Sequence, residues 1–212
     1  REQAAGLLQS ALEFCPQSSE ASYLYARVLL GEQSGSHRAV PYLLQALAAG
    51  TWVETDPLEA VAELAGFYVR TRRFAEARRL LESLEPPAAP AGLGSRCTAP
   101  LAVSWARALV GLGQASEAEG FLRRALERFP SAADLHLLLA RQLVARGRSS
   151  EAGEALRRAT RVLPESPEPV LALAAVERSA AVRSELVDRY LAMDGLDAGA
   201  ALLALRGAPK EP

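Results

Sequence analysis

The chain has 212 residues, half of them apolar, and a formal net charge of −1, which is enough material for one sizeable core. A balance this close to neutral argues against an electrostatic nucleic-acid binder, which carries a strong basic excess, and no apolar run reaches membrane-spanning length. Aromatic residues make up only 6%, so alanine and leucine must do most of the filling.

In chain order, the first element is a short amphipathic helix with Ala4, Leu8 and Ala11 on one stripe, ending at Cys15 and Pro16. Residues 1–16 read as the second helix of a truncated pair. Arg1 in place of an initiator methionine reads as the start of a fragment or processed form, and any signal peptide, lipid anchor or further repeats are expected upstream. Residues 19–50 form the next pair: Tyr25, Ala26 and Leu29 pack its first helix, and Ala39, Leu43 and Ala46 its second. His37 falls in the polar turn between them. Trp52, in a longer exit than the pattern requires, is either an exposed anchor for a partner or a lid on the core. Residues 58–85 make a third pair packed through Leu64, Ala65, Tyr68, Phe74, Ala77 and Leu81. The density of proline and glycine at 86–100 cannot continue a helix, which makes that stretch a surface loop.

Residues 101–130 and 133–164 are two copies of one pattern. Ala106, Arg107, Gly113, Ala118, Leu122, Ala125 and Pro130 recur as Ala140, Arg141, Gly147, Ala152, Leu156, Ala159 and Pro164, each 34 residues on. A fixed period of this length is the mark of stacked helix pairs. In the second copy Leu135, Leu138, Leu139, Ala140 and Leu143 form one helical stripe, Gly147 ends the helix in the left-handed conformation, and Ala152, Ala155, Leu156, Ala159 and Leu163 form the next stripe. One pair cannot bury both faces, so pairs must stack. A degenerate pair follows at 167–193, its second helix running over 181–193, and 197–206 reads as a capping helix for the last apolar face.

The segments WARALVGLGQASEAEGFLRRALERFP (105–130), LARQLVARGRSSEAGEALRRATRVLP (139–164) and ELAGFYVRTRRFAEARRLLESL (63–84) resemble the tetratricopeptide repeat. The resemblance implies an all-α fold: one domain, residues 1–212, forming a right-handed superhelical solenoid of about five antiparallel helix pairs with a C-terminal cap. It also implies protein binding, with the first helices lining a concave groove. Aligning the copies places Tyr23, Arg27 and Leu30; Ala62 and Gly66; Val103, Arg107 and Val110; Leu137, Arg141 and Val144; and Leu171, Ala175 and Arg178 on that wall. Arg27, Arg107 and Arg141 share one register. A ladder of arginines among apolar residues suits an acidic peptide held by guanidinium–carboxylate pairs. Alternatively, these arginines are solvated or pair with Glu20, Asp134 and Glu168. The chaperone-peptide subfamily of such repeats uses asparagine and lysine on these helices. This chain has no asparagine, and its single lysine, Lys210, lies in the tail.

Catalytic signals are absent. His136 sits in a helix stripe and reads as a packed core residue. Cys15 and Cys97 have no metal-ligand spacing and read as two free thiols or one long-range disulfide. GLGSR at 92–96 lacks the strand, lysine and spacing of a phosphate loop. No enzyme, cofactor, metal, nucleic acid or membrane span is expected. The expected function is a non-catalytic scaffold or adaptor. Two alternatives stand beside it: an assembly factor of a bacterial envelope machine (pilus or polysaccharide export), or the regulatory arm of a larger enzyme. Self-association through the terminal repeats is expected from the apolar face of Leu7, Leu8, Ala11 and Leu12. The sequence leaves the compartment open, with a cytoplasmic setting favoured and a periplasmic, outer-membrane-associated one expected if an upstream signal has been removed.

Overall fold

A computed structural model describes residues 2–31, 36–84 and 96–193. Among these the chain forms eleven α-helices and no strand. It divides into two compact units, Arg1–Leu112 and Gly113–Pro212, each described separately below. The proposed cap at 197–206 lies outside the described residues, as does most of the proline-rich loop.

The first unit contains α1 (Glu2–Phe14), α2 (Ser19–Leu30), α3 (Ser36–Ala49), α4 (Pro57–Arg70), α5 (Phe74–Glu82) and α6 (Ala99–Gly111). α2 and α3 form the most extensively packed pair, α1 closes on α2, and α6 lies against both α4 and α5. The helix starts follow local chemistry. Ser18 caps α2 by accepting the Ala21 N–H, and Asp56 caps α4 by accepting the Leu58 N–H, which satisfies donors a helix cannot use internally. Proline stands at the first turn of α4 and α6, where its missing N–H costs nothing. The core gathers Tyr23, Tyr25, Leu29, Leu43, Leu64 and Phe67 around alanines 26, 39, 46, 60 and 77. These small residues let backbones approach while leucine and aromatic rings fill the gaps. Gly111 shows how tight the fit is, because a Cβ there would clash with the Phe74 ring.

The second unit contains α7 (Ala115–Arg128), α8 (Ala133–Ala145), α9 (Ser149–Val162), α10 (Pro167–Val176) and α11 (Ala180–Leu191). α8 and α9 form a pair, α10 packs on both, and α11 packs on α10. α10 and α11 enclose Val170, Ala174, Val187 and Tyr190. Repetition extends to the backbone. Phe129 and Leu163 each precede a proline, which disfavours the α region for them, and they adopt nearly the same conformation, φ −124° ψ 64° and φ −125° ψ 66°. In both, as at Cys15 before Pro16, the carbonyl accepts the N–H of the residue three positions on. Three positions differ from expectation in detail. α11 begins at Ala180 and ends at Leu191, two residues short of the expected end. His37 is helical, not in a turn, with its ring edge-on to Phe67 at 5.4 Å. α6 already starts at Ala99, because Pro100 suits a first helical turn.

Candidate functional site

On the first helix of each pair, the residue four before the register arginine and the one three after it share the arginine's face. In the first unit Arg27 and Arg107 are exposed, while Leu30, Val103 and Val110 are half-buried beside them. Ala62 and Gly66 hold this place on α4, both half-buried. Tyr23 departs from the expected wall, since only 2% of it is exposed. Its hydroxyl donates to Glu59 Oε2 at 2.9 Å, its ring meets Trp52 edge-on at 5.9 Å, and the Arg27 guanidinium stands 5.7 Å from its centroid. Burial first, and then the Glu59 hydrogen bond, pushes the Tyr23 hydroxyl up to about 12. Tyr23 is therefore a support under Arg27 with no ring face left for a ligand, and Trp52 is packed against the core and not held out as an anchor.

In the second unit Arg141 and Val144 are exposed on α8 above half-buried Leu137. Leu171 and Ala175 are half-buried on α10, which packs directly on α8, and Arg178 is exposed just past its end. Arg178 lines a recess of about 120 Å³ together with Arg157 and Glu177. Glu177 accepts Arg157 Nη2 at 2.9 Å and the backbone N–H groups of Arg178 and Ser179. The Ser179 bond leads the effects that hold its carboxyl below the usual glutamate range. Glu20, offered by the sequence as a partner for the arginines, is engaged elsewhere. It accepts the backbone N–H groups of Val53, Glu54 and Thr55, which, with Glu54 foremost, draw its carboxyl below the usual range.

Two features escaped the sequence. One is an ionic cluster within the second unit. Glu119 of α7, only 13% exposed, is met by Arg123 at 2.9 Å and by Arg146 and Arg148 at 2.7 Å. Arg148 also reaches Glu151 at 2.6 Å. Local spacing could have suggested the Glu119–Arg123 and Arg148–Glu151 pairs. The reach from the α8–α9 turn back to α7 has no local signal. The other is a cleft of about 370 Å³ between α7 and α9, floored by Leu139 and Leu143 of α8. His136 lies on its floor, 3% exposed, and Nε2 donates to the Pro130 carbonyl at 2.8 Å, so its ring is a packed structural element.

Among the described residues no group of His, Cys, Asp or Glu is arranged to hold a metal, and no helix is long and apolar enough to cross a membrane. Cys15 is exposed and Cys97 partly buried, and neither is joined in a disulfide.

A family model of the tetratricopeptide repeat matches residues 109–177. No curated protein sequence matches the chain. Among solved structures, the chain is similar to YrrB, a TPR protein with an unusual peptide-binding site, at 19% identity and a TM-score of 0.59, covering 95% of this chain and 99% of that one. It is similar to PilW, a widely conserved type IV pilus biogenesis factor, at 20% identity and a TM-score of 0.67, covering 90% and 83%. A thermophilic TPR protein of Thermus thermophilus matches at 18% identity and a TM-score of 0.64, covering 89% and 98%. The fold is that of the TPR solenoids, and no enzyme family is indicated.

Proposed function

We propose that the chain is a non-catalytic protein-interaction scaffold whose first helices present arginines to an acidic peptide or partner segment. One observation carries this reading. Arg27, Arg107 and Arg141 are exposed at one register of three first helices, with apolar neighbours a turn before and a turn after. A guanidinium can grip a carboxylate with two parallel hydrogen bonds, and within each unit the flanking residues, Leu30, Val103 and Val110 in the first and Leu137 and Val144 in the second, offer apolar contact beside the arginines. Arg178 extends the set beyond α10.

The test compares capture of partners from the source cell by the wild type and by an Arg107→Ala/Arg141→Ala variant, with identification by mass spectrometry. Both substitutions are on exposed side chains, so the helical circular dichroism should be unchanged. Capture should fall by at least about tenfold, since two charge-assisted contacts each contribute about 1.5–3 kcal/mol, and it should weaken with salt. Equal capture by both proteins ends the reading. A second reading, assembly of an envelope machine, is supported by the likeness of fold to the pilus biogenesis factor. Pilus or export components among the captured proteins would favour it.

A further inference from the structure

We infer that Arg70 supplies the arginine missing from the row at Gly66, so that the first unit alone presents three guanidinium groups, one from each of α2, α4 and α6, to an acidic segment of a partner. This rests on the proposal that the first helices bind such a segment. The turns fix the register, because Gly66, Arg107 and Arg141 each stand six residues before the left-handed residues Arg72, Gly113 and Gly147. α4 adjoins both neighbours. It packs on α6, and its Glu59 accepts the Tyr23 hydroxyl of α2.

Helical side chains lean toward the amino end of their helix, so a long residue covers the place of the one four positions before it. At Gly66 that cover is Arg70, whose Nη1 lies 3.3 Å from where a Cβ would stand. Arg70 is exposed, and among the described residues its guanidinium takes part in no hydrogen bond or ion pair. The carboxylates on the same face of α4 do not neutralise it, since Glu59 is held by Tyr23 and Glu63 makes no ion pair with it. The second unit shows what an arginine in this posture can do. Arg157 lies over Gly153 in the same way, its Nη1 3.7 Å from where a Cβ would stand, and it still holds Glu177 Oε2 at 2.9 Å. On α9 the chain supplies that carboxylate, and on α4 the partner does. Helices in contact lie about 8–10 Å apart, a distance an extended chain crosses in about three residues, so the acidic residues of the segment recur at every third position.

Fluorescence anisotropy of a labelled peptide of Glu-Ser-Gly repeats, titrated with the whole chain at low salt, tests this. The wild type should bind, and more weakly as salt rises. Arg70→Ala should raise the dissociation constant at least about fivefold, with helical circular dichroism retained. Gly66→Leu keeps every charge but fills the place where the guanidinium lies, and should have the same effect. Arg79→Ala, which removes an exposed arginine from α5, should change the constant less than about twofold. If Arg27→Ala/Arg107→Ala weakens binding and Arg70→Ala does not, the role of Arg70 falls while the acidic-segment reading stands. If neither variant weakens it, both fall. A wild type that does not bind the peptide overturns the inference, as does a Gly66→Leu variant that binds like the wild type. A loss in Arg79→Ala equal to that in Arg70→Ala would reduce the effect to net charge and overturn it too.

Discussion

Arg72 has a φ of 61°, in the left-handed region, in the turn between α4 and α5. Gly113 and Gly147 hold the same place before α7 and α9, at 75° and 73°. The bonds around it also repeat. Arg73 N–H donates to the Tyr68 carbonyl and Arg148 N–H to the Leu143 carbonyl, both at 2.8 Å, the six-to-one closure that a left-handed residue permits. Two glycines announce this geometry in the sequence, but an arginine does not, because its side chain gives no sign that the backbone beneath it is strained. The left-handed conformation costs a non-glycine residue about 1–2 kcal/mol. A glycine removes that cost but returns about 0.4–1 kcal/mol of freedom to the unfolded chain. Arg72→Gly should therefore stabilise by about 0.5–1 kcal/mol, raising Tm by about 1–4 °C for a chain of this size. Gly147→Ala, whose new Cβ meets nothing within 4 Å, should destabilise by about 1 kcal/mol through backbone strain alone. Thermal unfolding followed by circular dichroism measures both, and a loss of stability in Arg72→Gly would contradict the strain.

At the scale of elements, what ties the α8–α9 turn to α7 is electrostatic. Glu119 is the acceptor shared by Arg123, Arg146 and Arg148. Burial alone would push its carboxyl up, but the hydrogen bonds from Arg123 and Arg148 more than offset it and hold the group below its ordinary 4.5. A carboxyl lowered in the folded state contributes stability that is complete above its unfolded value and is lost as pH falls through the folded one. Glu119→Gln should cost about 1 kcal/mol at pH 7, a figure kept small because the arginines are partly solvated. The gap to wild type should close as pH drops below 4.5. Urea midpoints between pH 7 and pH 3 check this, and a gap independent of pH would show that shape, not charge, holds the turn. The helices themselves were legible in the sequence because apolar period, proline and glycine are local signals. The Glu119 cluster was not, because Arg146 and Arg148 lie 27 and 29 residues on from Glu119 and only the folded pair brings them to it. The burial of Tyr23 is hidden from the sequence for a related reason. Alignment of copies gives a residue's register, but whether an aromatic side chain points out or is drawn under its neighbours depends on Glu59 and Trp52, two elements away.

For the whole molecule, the repeat period foretold stacking of pairs, since a pair with two apolar faces has no other way to bury them. It did not foretell a chain in two compact units, because repeats of one type carry no mark of where one unit gives way to the next. The aromatic content offers a way to ask whether the units also unfold separately. Trp52 and Trp105, the only tryptophans, both belong to Arg1–Leu112, so tryptophan fluorescence reports the first unit while circular dichroism reports both. Leu156, 1% exposed in the second unit, gives the perturbation, since Leu→Ala in a core costs about 2–5 kcal/mol. In an array held by neighbour contacts that loss is felt most where it is made. Leu156→Ala should thus split the urea transition, moving part of the circular dichroism change to lower denaturant while the fluorescence midpoint shifts much less. Equal shifts of both signals would mean that the two units unfold as one cooperative body.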